Sequence, residues 1–88
     1  MHFVYIVRCA DSSLYTGYAV NPDERVAVHN AAKGAKYTAS RLPVTLVYRE
    51  PCPSRGAALK REYQIKSWSR ARKEALIAGG PNGGTASA

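Results

Sequence analysis

Cysteine is scarce in this sequence: Cys9 and Cys52 are the only two among 88 residues. That is too few for a secreted disulfide framework, and their spacing is not that of a metal knuckle. Cys9 closes an apolar run and is expected as a half-buried thiol. Cys52, between Pro51 and Pro53, is expected in a loop, and neither has an activating partner beside it. Long apolar runs are also missing. None approaches the ~20 residues of a membrane span, and no basic segment followed by an apolar core opens the chain. These absences exclude a membrane partner and make the cytoplasm the expected location. No internal repeat is present. The length suits one domain, and a hydrophobic content of 45% with 22% charged residues argues against disorder.

Acids are few as well, six against thirteen Lys and Arg, giving a formal charge of +7 and a pI near 9.8. The distribution says more than the total. Residues 33–73 hold eleven of the thirteen basic residues but only two acids, Glu50 and Glu62. A one-sided basic field attracts polyanions, with nucleic acid the usual candidate.

What is present reads as an α+β domain. Residues 3–8 (FVYIVR) and 14–18 (LYTGY) are rich in β-branched and aromatic residues and predict two strands. The turn Asp11-Ser12-Ser13 makes them an antiparallel hairpin. Gly17 within the second strand marks a bulge or a close approach to the backbone. Asn21-Pro22-Asp23-Glu24 is a helix start, with Asn21 as cap, Pro22 at the first helical position and Glu24 closing a capping box. That helix is expected over 22–33, stopping at Gly34. A polar loop covers 35–43, and a third strand covers 44–49, broken by Pro51-Cys52-Pro53. Ser54 caps a helix over 55–66, and a last helix over 70–78 ends at Gly79-Gly80-Pro81. A single domain is therefore expected over 1–78, followed by a flexible Gly/Ala/Ser-rich tail, 79–88.

Three features point to chemistry. On a helical wheel Ala58, Leu59, Tyr63 and Ile65 form an apolar arc, and Glu62 lands inside it. A carboxylate there is expensive unless it is paired or holds a metal. Pairing with an Arg explains it equally well. As the lone acid of its helix, Glu62 also suits a single-carboxylate Mg²⁺ site completed by waters and phosphate. Arg25 and His29 stack four residues apart, beside a stripe of Ala27, Val28 and Ala31. Arg suits a phosphate that gains charge, and His suits proton transfer near neutral pH. Tyr5 and Tyr15 lie on neighbouring strands, where a phenol can pack or, in a basic pocket, act as a base.

Phe3-Val4-Tyr5, followed ten residues on by Tyr15-Thr16-Gly17, resembles the paired motif of the GIY-YIG nucleases. Arg25, His29 and Glu62 (in ALKREYQIK) fall where that family keeps functional residues. The resemblance covers residues 3 to about 77. It is closest to the small stand-alone bacterial branch, which includes single-strand DNA-specific members, and to the nuclease domain of the structure-selective resolvase. Gly34-Ala35-Lys36-Tyr37-Thr38, Arg41-Leu42-Pro43 and Pro53-Ser54 are further shared features. Phe3, Ala19 and Val26 depart from common family residues, and Asn82 is not matched to the family's late Asn.

The resemblance implies a three-stranded antiparallel sheet flanked by helices and hydrolysis of DNA phosphodiesters, with single-stranded DNA as the expected substrate. Glu62 would hold one divalent ion, Mg²⁺ or Mn²⁺. Arg25 would stabilise transition-state charge. Tyr5 or Tyr15 would activate or orient the water, and His29 would accept or relay the proton. Lys36, Tyr37, Thr38 and Arg41 are the expected nucleic-acid-binding set. No obligate protein partner is implied. The rival readings are a nuclease acting on branched DNA or RNA, a non-catalytic nucleic-acid-binding module, and a protein-interaction adaptor.

Overall fold

The computed structural model describes residues 1–83. Strands β1 (His2–Arg8) and β2 (Leu14–Ala19) are followed by helices α1 (Pro22–Asn30) and α2 (Lys36–Ala39), strand β3 (Thr45–Cys52), and helices α3 (Arg55–Lys66) and α4 (Arg70–Gly83). The strands form one antiparallel sheet in the order β2-β1-β3, the expected α+β architecture.

β1 is the central strand and has helices packed on both faces, so it reads as a continuous apolar run rather than an alternating one. Val4 and Ile6 point to one face, where Cys52, Ala58, Ile65 and Leu76 complete a core under α3 and α4. Tyr5 and Val7 point to the other face, with Cys9, Ala19 and Val44, and Val26 of α1 packs on them. Arg8 fastens α4 to the sheet through two bonds of 2.8 Å to Glu74.

The hairpin turn forms as read, with the Asp11 carboxylate accepting from the Ser13 N–H at 3.0 Å. Asn21 caps α1, accepting from the Glu24 N–H at 3.2 Å, and Ser54 caps α3, accepting from the Ala57 N–H at 3.1 Å.

Several boundaries differ from expectation. α1 stops at Asn30, not near Lys33, and Ala32 rather than Gly34 takes the left-handed position, at φ 62°. The Lys33 N–H reaches back to the Val28 carbonyl (3.1 Å) and the Ala32 N–H to that of His29 (2.9 Å), a Schellman closure. The polar loop contains the short helix α2. β3 runs on through Pro51 to Cys52, because an edge strand admits proline where no donor is needed. Cys52 is thus a buried strand residue, not a loop thiol, and Cys9 is fully rather than half buried. The bulge lies in β3 near Val47, not at Gly17. α4 continues past Gly79-Gly80-Pro81 to Gly83, since a proline in a last turn removes only one helical bond. The expected tail falls partly in that helix, and residues 84–88 lie outside the described residues.

Two helical faces are also corrected. On α3 the buried residues are Ala58 and Ile65, whereas Leu59 is 40% and Tyr63 80% exposed. Arg61, expected outside the arc, is half-buried and bonds Glu50 at 3.0 Å. A single helix lying on three strands covers a narrow stripe, so the arc centres between Ala58 and Ile65 and takes in Arg61 and Glu62. On α1, Ala27 and Ala31 are exposed, and Pro22 and His29 are buried instead.

Candidate active site

The open edge of β2 gathers the candidate residues. Tyr5 pairs with Gly17 across the β1–β2 ladder, and its ring crosses the glycine: a Cβ built there would stand 2.5 Å from the Tyr5 Oη. The close approach read from Gly17 is therefore that of a phenol on the neighbouring strand.

The Tyr5 Oη lies 2.8 Å from His29 Nε2, inside the protein; Tyr5 is 1% exposed and His29 0%. On the other side of the imidazole, His29 Nδ1 lies 2.8 Å from Thr38 Oγ1. The Thr38 hydroxyl spends its own proton on the Ala35 carbonyl at 2.9 Å. Thr38 must then accept from Nδ1–H, which leaves Nε2 as the acceptor for the Tyr5 O–H. The chain Tyr5–His29–Thr38–Ala35 thus fixes both tautomer and direction. Burial holds the His29 imidazole below the usual histidine range, and the Arg25 charge adds to the effect. Burial also pushes the Tyr5 phenol up to about 12, with the nearby Arg25 guanidinium opposing the shift and Tyr15 and Glu62 supporting it.

Gly34, expected to stop α1, has a different task. Its backbone passes over the His29 ring so closely that a Cβ would stand 2.8 Å from Cε1 and 2.9 Å from Cγ. Gly34 is the lid of the imidazole pocket, and Ala32 bears the positive φ in its place.

Tyr15 covers this pair on the solvent side. Its ring meets His29 edge-on at 5.4 Å and stacks against Tyr37 at 6.0 Å. Glu62 approaches from α3, which packs on the opposite face of the sheet from α1 and Tyr5. The Glu62 side chain is 17% exposed and pairs with Lys66 at 2.8 Å, while the Lys66 ammonium stands 5.7 Å from the Tyr15 ring centre. Tyr5, Tyr15, Arg25, His29 and Glu62 therefore lie in one neighbourhood.

The expected nucleic-acid-binding set divides. Lys36 and Tyr37 are exposed. Thr38 is wholly buried against His29, so its placement as a strand contact is corrected: it orients the imidazole. Arg41 is engaged with Asp11 at 3.1 Å and with the Tyr37 carbonyl at 2.7 Å, tying the α2 segment to the β1–β2 turn. Sequence reasoning missed Thr38 as an orienting residue, Gly34 as a lid and Lys66 as the partner of Glu62. Only the (i, i+4) spacing of Glu62 and Lys66 carried a readable signal.

Among the described residues no three His, Cys, Asp or Glu side chains cluster as a metal cage. The donor set is one carboxylate at the sheet edge, already facing a cation in Lys66. That suits a hard ion that keeps most of its waters and takes the rest of its ligands from a phosphate.

A fold with a Tyr–His pair buried under a glycine-crossed hairpin, with Arg and Glu from flanking helices, defines a class. Residues 1–75 match the GIY-YIG catalytic domain, and the chain belongs to that family. Its relatives are small proteins of similar length. UPF0213 protein SH2523 of Staphylococcus haemolyticus is 57% identical over 76 residues, 86% of this chain and 93% of that protein. UPF0213 protein NP_0776A of Natronomonas pharaonis is 56% identical over 77 residues, 88% and 91% of the two chains. Among solved structures, the UPF0213 protein BH0048 from Bacillus halodurans aligns with a TM-score of 0.58 and 44% identity, covering 94% of this chain and 86% of that one. The protein EF2693 from E. faecalis aligns with a TM-score of 0.58 and 37% identity, over 88% and 82%.

Proposed function

We propose that this protein is a metal-dependent endonuclease hydrolysing DNA phosphodiester bonds, with single-stranded DNA as the preferred substrate. The observation that carries the reading is the directed chain from Tyr5 through His29 to Thr38. A buried phenol whose proton already points at a neutral imidazole is arranged to lose it.

In this mechanism the Tyr5 proton passes to His29 Nε2 as Tyr5 Oη takes a proton from water. The hydroxide attacks phosphorus and the P–O bond to the leaving oxygen breaks, that oxygen taking a proton from solvent. A phenol held near 12 is no standing base at neutral pH, so the two transfers are coupled. Thr38 Oγ1 accepts from the imidazolium at Nδ1. Arg25 stabilises charge gathering on the phosphate, and it keeps the affinity of His29 for the proton low enough to release it after each turnover. Tyr15 orients the water on the solvent side. Glu62 would hold Mg²⁺ or Mn²⁺, which supplies Lewis-acid stabilisation of a phosphate oxygen.

The preference for single strands rests on the basic run 33–73 with exposed Tyr37, on which an unpaired base can stack. The test compares wild type with Glu62→Ala on single-stranded, duplex and branched DNA and on RNA, with Mg²⁺, Mn²⁺ or EDTA. Metal-dependent cutting lost in Glu62→Ala is the expected result. Equal cutting by both proteins overturns the metal assignment. Binding without cutting by wild type in any metal assigns a non-catalytic module.

A further inference from the structure

Beyond the Tyr5–His29 pair, a groove continues along the open edge of β2, lined by Leu14, Tyr15, Thr16, Tyr37, Lys66 and Lys73. Tyr15 and Lys66 belong to the candidate site as well, so the groove starts where that site ends. It extends toward Arg70, which with Ser13, Leu14, Tyr37 and Lys73 lines the adjoining recess.

Two features there have no employment in the fold. The Thr16 side chain is 3% exposed, and its Oγ1 is the one buried side-chain polar atom without a hydrogen-bond partner among the described residues. A buried hydroxyl left unpaired is costly and calls for a partner. Lys73 is half-buried yet enters no ion pair among the described residues. Its neighbour Glu74 is taken by Arg8 and Arg70. Lys66 and Arg70 line the groove already paired with Glu62 and Glu74, so among the described residues the unpaired charge on its wall is that of Lys73, and none of its lining residues is acidic.

We propose that this groove binds a backbone phosphate of the substrate strand adjacent to the phosphate that is cut. Lys73 supplies the charge and the Thr16 hydroxyl one hydrogen bond. The inference rests on the nuclease reading and adds to it a subsite on one side of the reaction centre. The groove takes an internal phosphodiester, not a terminal phosphate, because it is continuous with the candidate site at one end and with the Arg70 recess at the other.

The test measures binding of a labelled single-stranded oligonucleotide in EDTA, across a salt series, for wild type, Lys73→Ala, Thr16→Val and Thr16→Ser. Loss of one phosphate contact should lower the log–log salt slope of Lys73→Ala by about 0.7, the increment for a single strand. Thr16→Val should weaken binding with an unchanged slope, and Thr16→Ser should restore it. An unchanged slope in Lys73→Ala overturns the proposal. So does competition by inorganic phosphate or a mononucleotide that matches the oligonucleotide, which would assign a terminal-phosphate site. Cutting by wild type is assayed in parallel with Mn²⁺. Cutting with an unchanged slope removes the subsite and leaves the nuclease reading intact; a reduced slope without cutting does the reverse.

Discussion

The Tyr5 phenol donates to His29 Nε2 across 2.8 Å, and the direction of that bond is decided on the far side of the ring, by Thr38. Because the Thr38 hydroxyl gives its proton to Ala35, the imidazole has one way to sit. The residue that sets the chemistry of the pair is thus a threonine on a four-residue helix.

Thr38→Val should therefore act twice. It leaves the buried Nδ1–H without an acceptor, which should lower stability by about 1–3 kcal/mol in urea unfolding. It should also lower kcat more than KM, since the substrate never touches Thr38. Thr38→Ser should recover most of both, and a Thr38→Val enzyme with unchanged kcat would remove Thr38 from the relay.

Tyr5→Phe and Tyr15→Phe separate the two phenols. Tyr5→Phe should abolish turnover, because among the described residues no other group donates to His29 Nε2. Tyr15→Phe keeps the edge-on contact with His29 and should retain measurable activity. Single-turnover cleavage rates in Mn²⁺ are the measurement, and the reverse order would move the base to Tyr15.

pH dependence follows from two depressed groups. The folded His29 lies below its unfolded value of 6.5, so its contribution to stability is full above 6.5 and is lost as pH falls below it. Glu74, whose two bonds to Arg8 hold it down near 2, contributes above its unfolded value of 4.5 and loses that contribution between 4.5 and about 2. Denaturant midpoints across pH 2–8 should fall in these two windows. Glu74→Gln should flatten the acid limb and leave the limb below 6.5 in place.

Gly34→Ala places a methyl group against the His29 ring. The ring must move, and overpacking of this kind costs about 1–3 kcal/mol. Activity should fall further than stability accounts for. Ala32→Gly, at φ 62°, should be tolerated or slightly stabilising, so thermal melts of the two variants should move in opposite directions.

Much of this fold could be read from local chemistry. The Asn21 cap, the Asp11 turn and the apolar run of β1 each depend on a few neighbouring residues, and each is where the sequence puts it. What stayed hidden depends on contacts between distant segments. Gly34 looked like a helix stop because a glycine after a helix usually is one; the ring beneath it is near in sequence, but that ring is held there by a bond to Tyr5, 24 residues away. Thr38 looked like a surface hydroxyl, since its polar neighbours Lys36 and Ser40 are exposed. The arc on α3 drew in Leu59 and Tyr63 because a wheel counts apolar residues without knowing how narrow the sheet beneath is. For the candidate site, the residue types and spacing were legible, but the order in which they hand on a proton was not.

The position of β2 at the margin of the sheet has one more consequence. A fourth strand pairing with β2 would run beside the groove lined by Leu14, Tyr15, Thr16, Lys66 and Lys73. The domain cannot be widened on that side without closing its own entrance. On the other side β3 carries Pro51 and the irregularity near Val47, both of which discourage a neighbour. A three-stranded sheet is therefore as broad as this architecture can become while remaining open, and fusion partners are better attached at the chain ends than added to the sheet.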